Sequence, residues 1–311
     1  MNFFYFLNIR KMTDSSDLVR LSIAKSKIRQ TQKYNPSDVA EIKEELNQYS
    51  VGSAFYSDTS LSYKAIPFDD DFRLGTGDFT IEWWQSMQTV ANYPRIFSIG
   101  NFGDGPGSLT VSIAVSFEIN GTNRDIYYWR NSGGAYGGNN GYRFVTVSNA
   151  YLQNVWHHFA LVRSSGTTRL YIDGVSQGTP LSDTTNIGSA EPVVSAGTPT
   201  GYDMLVIGDE LPENTTATTS YGGFIYSFRW TKGNAVYTSN FTVPSNFLQP
   251  VTGTKLLLLN WYPGGLNIDS SGCNKTIYSY NANVYGLSPF SQQQTFWATS
   301  PTCINLNQQT L

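Results

Sequence analysis

From Val51 onward apolar residues recur at alternate positions, the period of a strand with one buried face. Phe79, Ile81 and Trp83 alternate with Thr80, Glu82 and Trp84, so one face of that stretch is strongly apolar. Residues 96–99, 109–117, 125–129 and 143–147 continue the pattern. The most orderly stretch is 156–174, WHHFALVRSSGTTRLYIDG. Residues 156–162 and 169–172 flank a small polar turn containing Gly166, and Asp173-Gly174 leads into a third strand from Val175. Asp-Gly suits a two-residue hairpin, whose central residues need positive φ. The stretch reads as a three-stranded antiparallel meander, with Trp156 expected in the core. Residues 204–208 and 223–230 predict two more strands. Residues 255–261 carry four consecutive leucines, Leu256 to Leu259, which predicts a strand covered on both faces.

Other segments break the period. Residues 131–142, NSGGAYGGNNGY, hold five glycines, which open conformations closed to other residues. A loop this long is a binding loop or a flexible connector. Residues 181–200 and 209–221 read as polar loops, and 237–247 as an extended segment bounded by proline. Residues 13–50 carry a helical period instead. Leu18, Leu21 and Ile28 share one face, and Val39, Ile42, Leu46 and Tyr49 another, after the Asn35-Pro36 start. The first helix is basic and the second acidic. An amphipathic face says only that something apolar covers it. The hairpin packs on the domain's own surface, or it is an arm for a partner; the expectation taken forward is assembly through residues 13–50. The predicted organisation is a helical extension over 1–50, a β domain over 51–290 and a polar tail over 291–311.

Three separated motifs resemble one family. The Trp-His-His start, the Ala-Leu-Val-Arg strand and the Tyr-Ile-Asp-Gly hairpin resemble the central signature of laminin-G-like, concanavalin A-like jelly-roll domains. Residues 77–84, GDFTIEWW, resemble the early core strand of that family. Residues 222–244 resemble its closing strand in the form common in viral and phage structural proteins, and 268–290 resemble a pattern seen beside such domains in viral proteins. The resemblance implies a mainly β, antiparallel β-sandwich jelly roll with a short N-terminal α-helical extension. It leaves function open, because one fold hosts many functions. It also makes a virion or extracellular surface the expected location.

Composition narrows the chemistry. Charged residues are 14% of the 311 and the net charge is −3, so no broad attraction to nucleic acid or anionic membrane follows. No apolar run approaches the ~20 residues of a membrane span. Residues 1–9 are apolar, but Arg10 and Lys11 follow rather than precede them, so no secretion signal is expected. Cys273 and Cys303 match no zinc spacing. His157 and His158, the two histidines, are adjacent on a strand and therefore point to opposite faces. They cannot share one metal or build a catalytic triad by themselves.

The related glycoside hydrolases carry acidic residues alternating on one strand, Glu-x-Asp-x-x-Glu, and no such run occurs here. Glu82 stands between Ile81 and Trp83, and Glu118 has no acidic neighbour two residues away. The chain is expected not to be an enzyme. No cofactor is implied. Calcium, which many family members bind through loop oxygens, has Asp104, Asp203, Asp209 and Glu210 as candidate ligands, without EF-hand spacing. Sugar binding needs exposed aromatic faces and amides. Trp129, Arg130, Tyr136, Asn139, Asn140 and Tyr142 offer that combination. The expected role is structural or surface recognition of glycan or protein partners, with a free carbohydrate-binding lectin as the alternative.

Overall fold

A computed structural model describes residues 52–89, 93–100, 112–130, 140–188, 204–209, 219–260, 267–285 and 287–290. The predicted extension over 1–50 and the tail over 291–311 lie outside these residues. Fifteen strands are described: β1 Ser53–Tyr56, β2 Tyr63–Pro67, β3 Phe79–Met87, β4 Arg95–Ile99, β5 Ile113–Asn120, β6 Asn123–Arg130, β7 Asn140–Ser148, β8 Trp156–Ser164, β9 Thr167–Ile172, β10 Val175–Ser182, β11 Met204–Ile207, β12 Gly223–Lys232, β13 Thr254–Leu258, β14 Tyr278–Tyr280 and β15 Asn283–Tyr285. They form two sheets. The first runs β10-β9-β8-β3-β12-β1-β15, with β13 also on β12, and the second runs β14-β2-β11-β4-β5-β6-β7. Every strand pair is antiparallel. This is the antiparallel β-sandwich that the family resemblance implies, built from the strands that the alternation predicts.

The meander forms as expected. Ser165 and Gly166 have φ of 48° and 71°, and Asp173 and Gly174 have 50° and 78°, the double positive φ of two-residue hairpins. Gly174 is required twice over, since a Cβ there would overlap the backbone carbonyl of Phe241. Between the sheets, Trp83 of β3 stacks on Phe159 of β8 at 5.5 Å and meets Phe97 of β4 edge-on at 5.8 Å. One apolar core joins both sheets around these rings.

A second, thinner layer covers the outer face of the first sheet. Residues 234–248 cross it without regular structure. Thr80 Oγ1 donates to the Asn234 carbonyl and accepts from the Val236 amide. Tyr237 and Phe241 stack at 3.6 Å, and Phe241 lies against Tyr171. Val243, Phe247, Leu248 and Phe290 pack with Trp84, Tyr226, Leu257 and Leu259. The leucine run thus divides by parity. Leu256 and Leu258 enter the main core, Leu257 and Leu259 the outer layer. The crossing segment is pinned at a bulge in β12, where Ser227 is buried with a φ of 55° and its Oγ accepts from the Leu248 amide at 2.7 Å.

Several expectations need correction. Trp156 is half-buried, not buried: it opens β8 on the outer face, beside Phe224 and Tyr226, at the margin of the outer layer. Residues 140–142 belong to β7 and 181–182 to β10 rather than to loops. The strand expected over 109–117 is Ile113–Asn120, with 109–111 outside the described residues. A single helical turn, Asn149–Leu152, links β7 to β8 and was not foreseen. His157 and His158 do point to opposite faces, yet both are buried, because both faces of the first sheet are covered.

Candidate functional site

The outer face of the second sheet is chemically unlike that of the first. The β5–β6 hairpin sets its register through Asn120, Gly121, Thr122 and Asn123. Glu118 falls opposite Asp125, Ser116 opposite Tyr127 and Ala114 opposite Trp129. The alternate pairs Phe117–Ile126 and Val115–Tyr128 fill the core. β7 then places Gly141 opposite Trp129, Arg143 opposite Tyr127 and Thr146 opposite Asp125, across a bulge at Phe144.

Gly141 matters here. A Cβ at that position would overlap the six-membered ring of Trp129, so the indole lies flat along the β7 backbone. Tyr127, two residues back on the same face, stacks with it at 5.4 Å and 24°. Both rings are half-buried, leaving a two-ring aromatic surface partly open to solvent. Polar groups fix it in place. Trp129 Nε1 donates to Ser116 Oγ at 2.8 Å, Ser116 donates to Glu118 at 2.8 Å, and Arg95 holds the same carboxylate at 2.8 Å. Asp125 accepts from Asn120 at 3.1 Å, from Arg143 at 3.2 Å and from Thr146. Burial pushes the Asp125 carboxyl up, but the bonds from Thr146, Asn120 and Arg143 outweigh it and the pKa falls. Arg143 is 54% exposed, so this face offers a charged donor beside the rings.

The expected ligand residues are divided by the strand period. Trp129 lies on this outer face. Arg130 and Tyr142 lie on the opposite side. Arg130 Nε bonds buried Asp183 at 3.1 Å, and its guanidinium sits 5.6 Å from the Tyr128 ring. Tyr142 packs edge-on against Phe144 and donates to the Thr179 carbonyl. Asn140 begins β7 opposite Arg130. Tyr136 and Asn139 lie outside the described residues. Tyr127, Ser116, Glu118, Asp125 and Arg143 were not singled out as ligand residues. The hairpin at Asn120-Gly121 was the signal that would have aligned them.

Of the calcium candidates, Asp209 is buried and accepts from the hydroxyls of Thr219 and Ser220. Asp104, Asp203 and Glu210 lie outside the described residues. Among the described residues no group of three or more His, Cys, Asp or Glu side chains could hold a metal ion. His157 is held by Asp173 Oδ2 at Nδ1 and by the Tyr151 carbonyl at Nε2, both at 2.7 Å. Two acceptors favour the doubly protonated ring. Burial lowers its pKa, but the Asp173 bond and the Tyr151 carbonyl outweigh that and raise it. The Tyr151 hydroxyl donates to Asp173, not to the imidazole, so no hydroxyl is activated there. His158 faces the outer layer, 3.3 Å from Glu82, which also pairs with Arg229 and accepts from Tyr237 at 2.9 Å.

Residues 60–209 match the family model described as the concanavalin A-like lectin/glucanases superfamily, of laminin G type. This is the family that the motifs at 77–84 and 156–174 resemble; the third motif, at 222–244, lies beyond the matched residues. No curated protein matches the chain. Among solved structures, a Bacteroides ovatus protein assigned to carbohydrate binding is similar at 16% identity and a TM-score of 0.48, over 76% of this chain and 60% of that one. Domains LG4-5 of the mouse laminin α1 chain are similar at 14% identity and a TM-score of 0.36, over 63% of this chain and 47% of that one. An alginate lyase of Pseudomonas aeruginosa is similar at 13% identity and a TM-score of 0.31, over 51% and 67%. The chain thus spans less than two thirds of the first two.

Proposed function

We propose that this chain is a non-enzymatic recognition protein whose jelly roll binds glycan on the outer face of the second sheet. The observation that carries the reading is the Tyr127–Trp129 surface laid over Gly141. A sugar ring has an apolar C–H face and a rim of hydroxyls. The aromatic pair suits the first, and the exposed guanidinium of Arg143, held in place by buried Asp125, suits the second. A glycan array with the purified full chain, run with and without calcium, tests this. Binding by the wild type that is lost in Trp129→Ala supports it. Binding that persists in Trp129→Ala and Tyr127→Ala would place the ligand elsewhere.

A hydrolytic reading is favoured by one observation, the cross-strand pair Glu118 and Asp125 on one face. Such a pair needs one carboxyl that stays protonated to act as acid. Asp125 is shifted the other way, and an arginine holds each carboxylate. We therefore favour binding over cleavage. Release of reducing sugar that disappears in Glu118→Gln would reverse the choice.

Virion association is proposed on the resemblance of residues 240–244 and 269–290 alone. With it goes assembly through residues 13–50. Deleting residues 1–50 should leave the sandwich folded and abolish self-association or incorporation. A full-length chain that stays monomeric and joins no particle would sink both.

A further inference from the structure

Lys64 is an anomaly in the second sheet. β2 pairs it with Ile207 of β11 and with Ser279 of β14, on the side that carries Ile66 and Ile207 into the core. It is 1% exposed, and among the described residues no carboxylate pairs with it. Burial lowers its pKa to about 7, so near neutral pH much of the amine is uncharged and carries a free lone pair. An uncharged, desolvated amine is a nucleophile.

What that amine touches is a carboxamide. Lys64 Nζ contacts Asn267 Oδ1 directly and lies 3.2 Å from Ser279 Oγ. The same Ser279 Oγ lies 2.7 Å from Asn267 Nδ2. Amine, carboxamide and hydroxyl close a triangle in which the electrophilic carbon, Cγ, is one bond from the oxygen already in contact. The strand that supplies Ser279 is only three residues long, exposed throughout, and joined to one sheet neighbour, β2. Strands so short hold weakly by backbone pairing alone.

We propose that Lys64 and Asn267 join as a covalent side-chain amide that staples β2 to the segment leading into β14. Nζ adds to Cγ of Asn267, forming the Nζ–Cγ bond. The Ser279 hydroxyl takes a proton from Nζ and passes its own to Nδ2. The Cγ–Nδ2 bond then breaks and ammonia leaves, so the sum is one amide exchanged for another with no oxidant or cofactor. Contact in the fold supplies the proximity that makes an otherwise slow aminolysis effectively unimolecular. The link joins residues separated by 203 positions.

Mass spectrometry of the full chain decides the matter. The intact protein should weigh one ammonia less than its sequence. A digest should yield the peptide holding Lys64 joined to the peptide holding Asn267. Lys64→Met and Asn267→Ala should each restore the sequence mass, apart from the substitution. Asn120-Gly121 and Asn140-Gly141 are a possible confusion, since Asn-Gly can lose ammonia by closing on its own backbone. A loss that persists in Lys64→Met, or that comes without a joined peptide, overturns the proposal. So does an intact mass equal to that of the sequence. The wild-type mass and the joined peptide decide even if a variant does not fold.

Discussion

The two sheets have the same architecture and opposite outer faces. The first is apolar on both sides, with Trp84, Tyr226, Leu257 and Leu259 outward, and residues 234–248 cover it. Its one carboxylate at the centre, Glu82, is 0% exposed and enclosed by Arg229, His158 and Tyr237. The second directs Ser116, Glu118, Asp125, Tyr127 and Trp129 outward; Asp125 and Arg95 are buried in their ion pairs, while Glu118 keeps 20% and Arg143 54% of its side chain exposed. Similar residue types therefore do different work. Under a cover, all the charges must be paired to be tolerated; on the uncovered face, the pairs sit at the margin of solvent and Arg143 reaches into it.

The largest expected effect breaks the covered side. Arg229→Met leaves Glu82 buried beside Tyr237 and His158 without its guanidinium, which should cost about 3–5 kcal/mol. Chemical denaturation measures it. A loss below ~1 kcal/mol, the value typical of exposed pairs, would mean the two faces do not differ as claimed.

Trp156 sharpens the boundary of the cover. Because it is half-buried at the margin, Trp156→Ala should cost about 1–2 kcal/mol from lost apolar burial. A fully enclosed ring such as Trp83 should cost about 3–5 kcal/mol on the same change. Equal losses would mean that the layer reaches over Trp156 after all.

What could be read from the sequence follows the same division. The strand period, the Asp173-Gly174 turn and the leucine run were legible because each is a local signal with one geometric solution. The enclosure of Glu82 was not, since Arg229 stands 147 residues away and only the β3–β12 register joins them. The open face was half legible. Trp129 was in view, but Arg130 and Tyr142 were grouped with it by closeness in sequence, whereas a strand sends neighbours to opposite sides. The bulge at Phe144 resets the parity of β7, and no residue type announces it. Lys64 is an ordinary lysine in the sequence; only its burial and its contact with Asn267 set it apart.

A pH titration separates a paired site from its surroundings. His157 is raised above its usual 6.5, so its contribution is whole below that value and is lost as pH rises through the folded pKa. Burial raises Asp173, but the bonds from His157 and the His158 amide outweigh it and lower it. Its contribution is present above the unfolded pKa and lost as pH falls through the folded one. The pair is therefore strongest between the two shifted values. Melting curves of His157→Gln should lose the alkaline-side decline relative to the wild type. An unchanged pH profile would mean that His157 is held equally well in its neutral form.

The smallest effect on stability belongs to the open face. Arg143 is 54% exposed, and exposed ion pairs are worth ~0–1 kcal/mol. Arg143→Met should leave the melting curve almost where it was. If the face serves a ligand, the same change should still weaken retention on any glycan that the array identifies, because the guanidinium is the charged donor beside the rings. Stability and binding would then come apart at Arg143, as they should not at Arg229, where unfolding would remove both together. A large stability loss at Arg143 with no change in retention would make the second sheet's outer face as structural as the first, and the difference between them would reduce to how much chain lies on top.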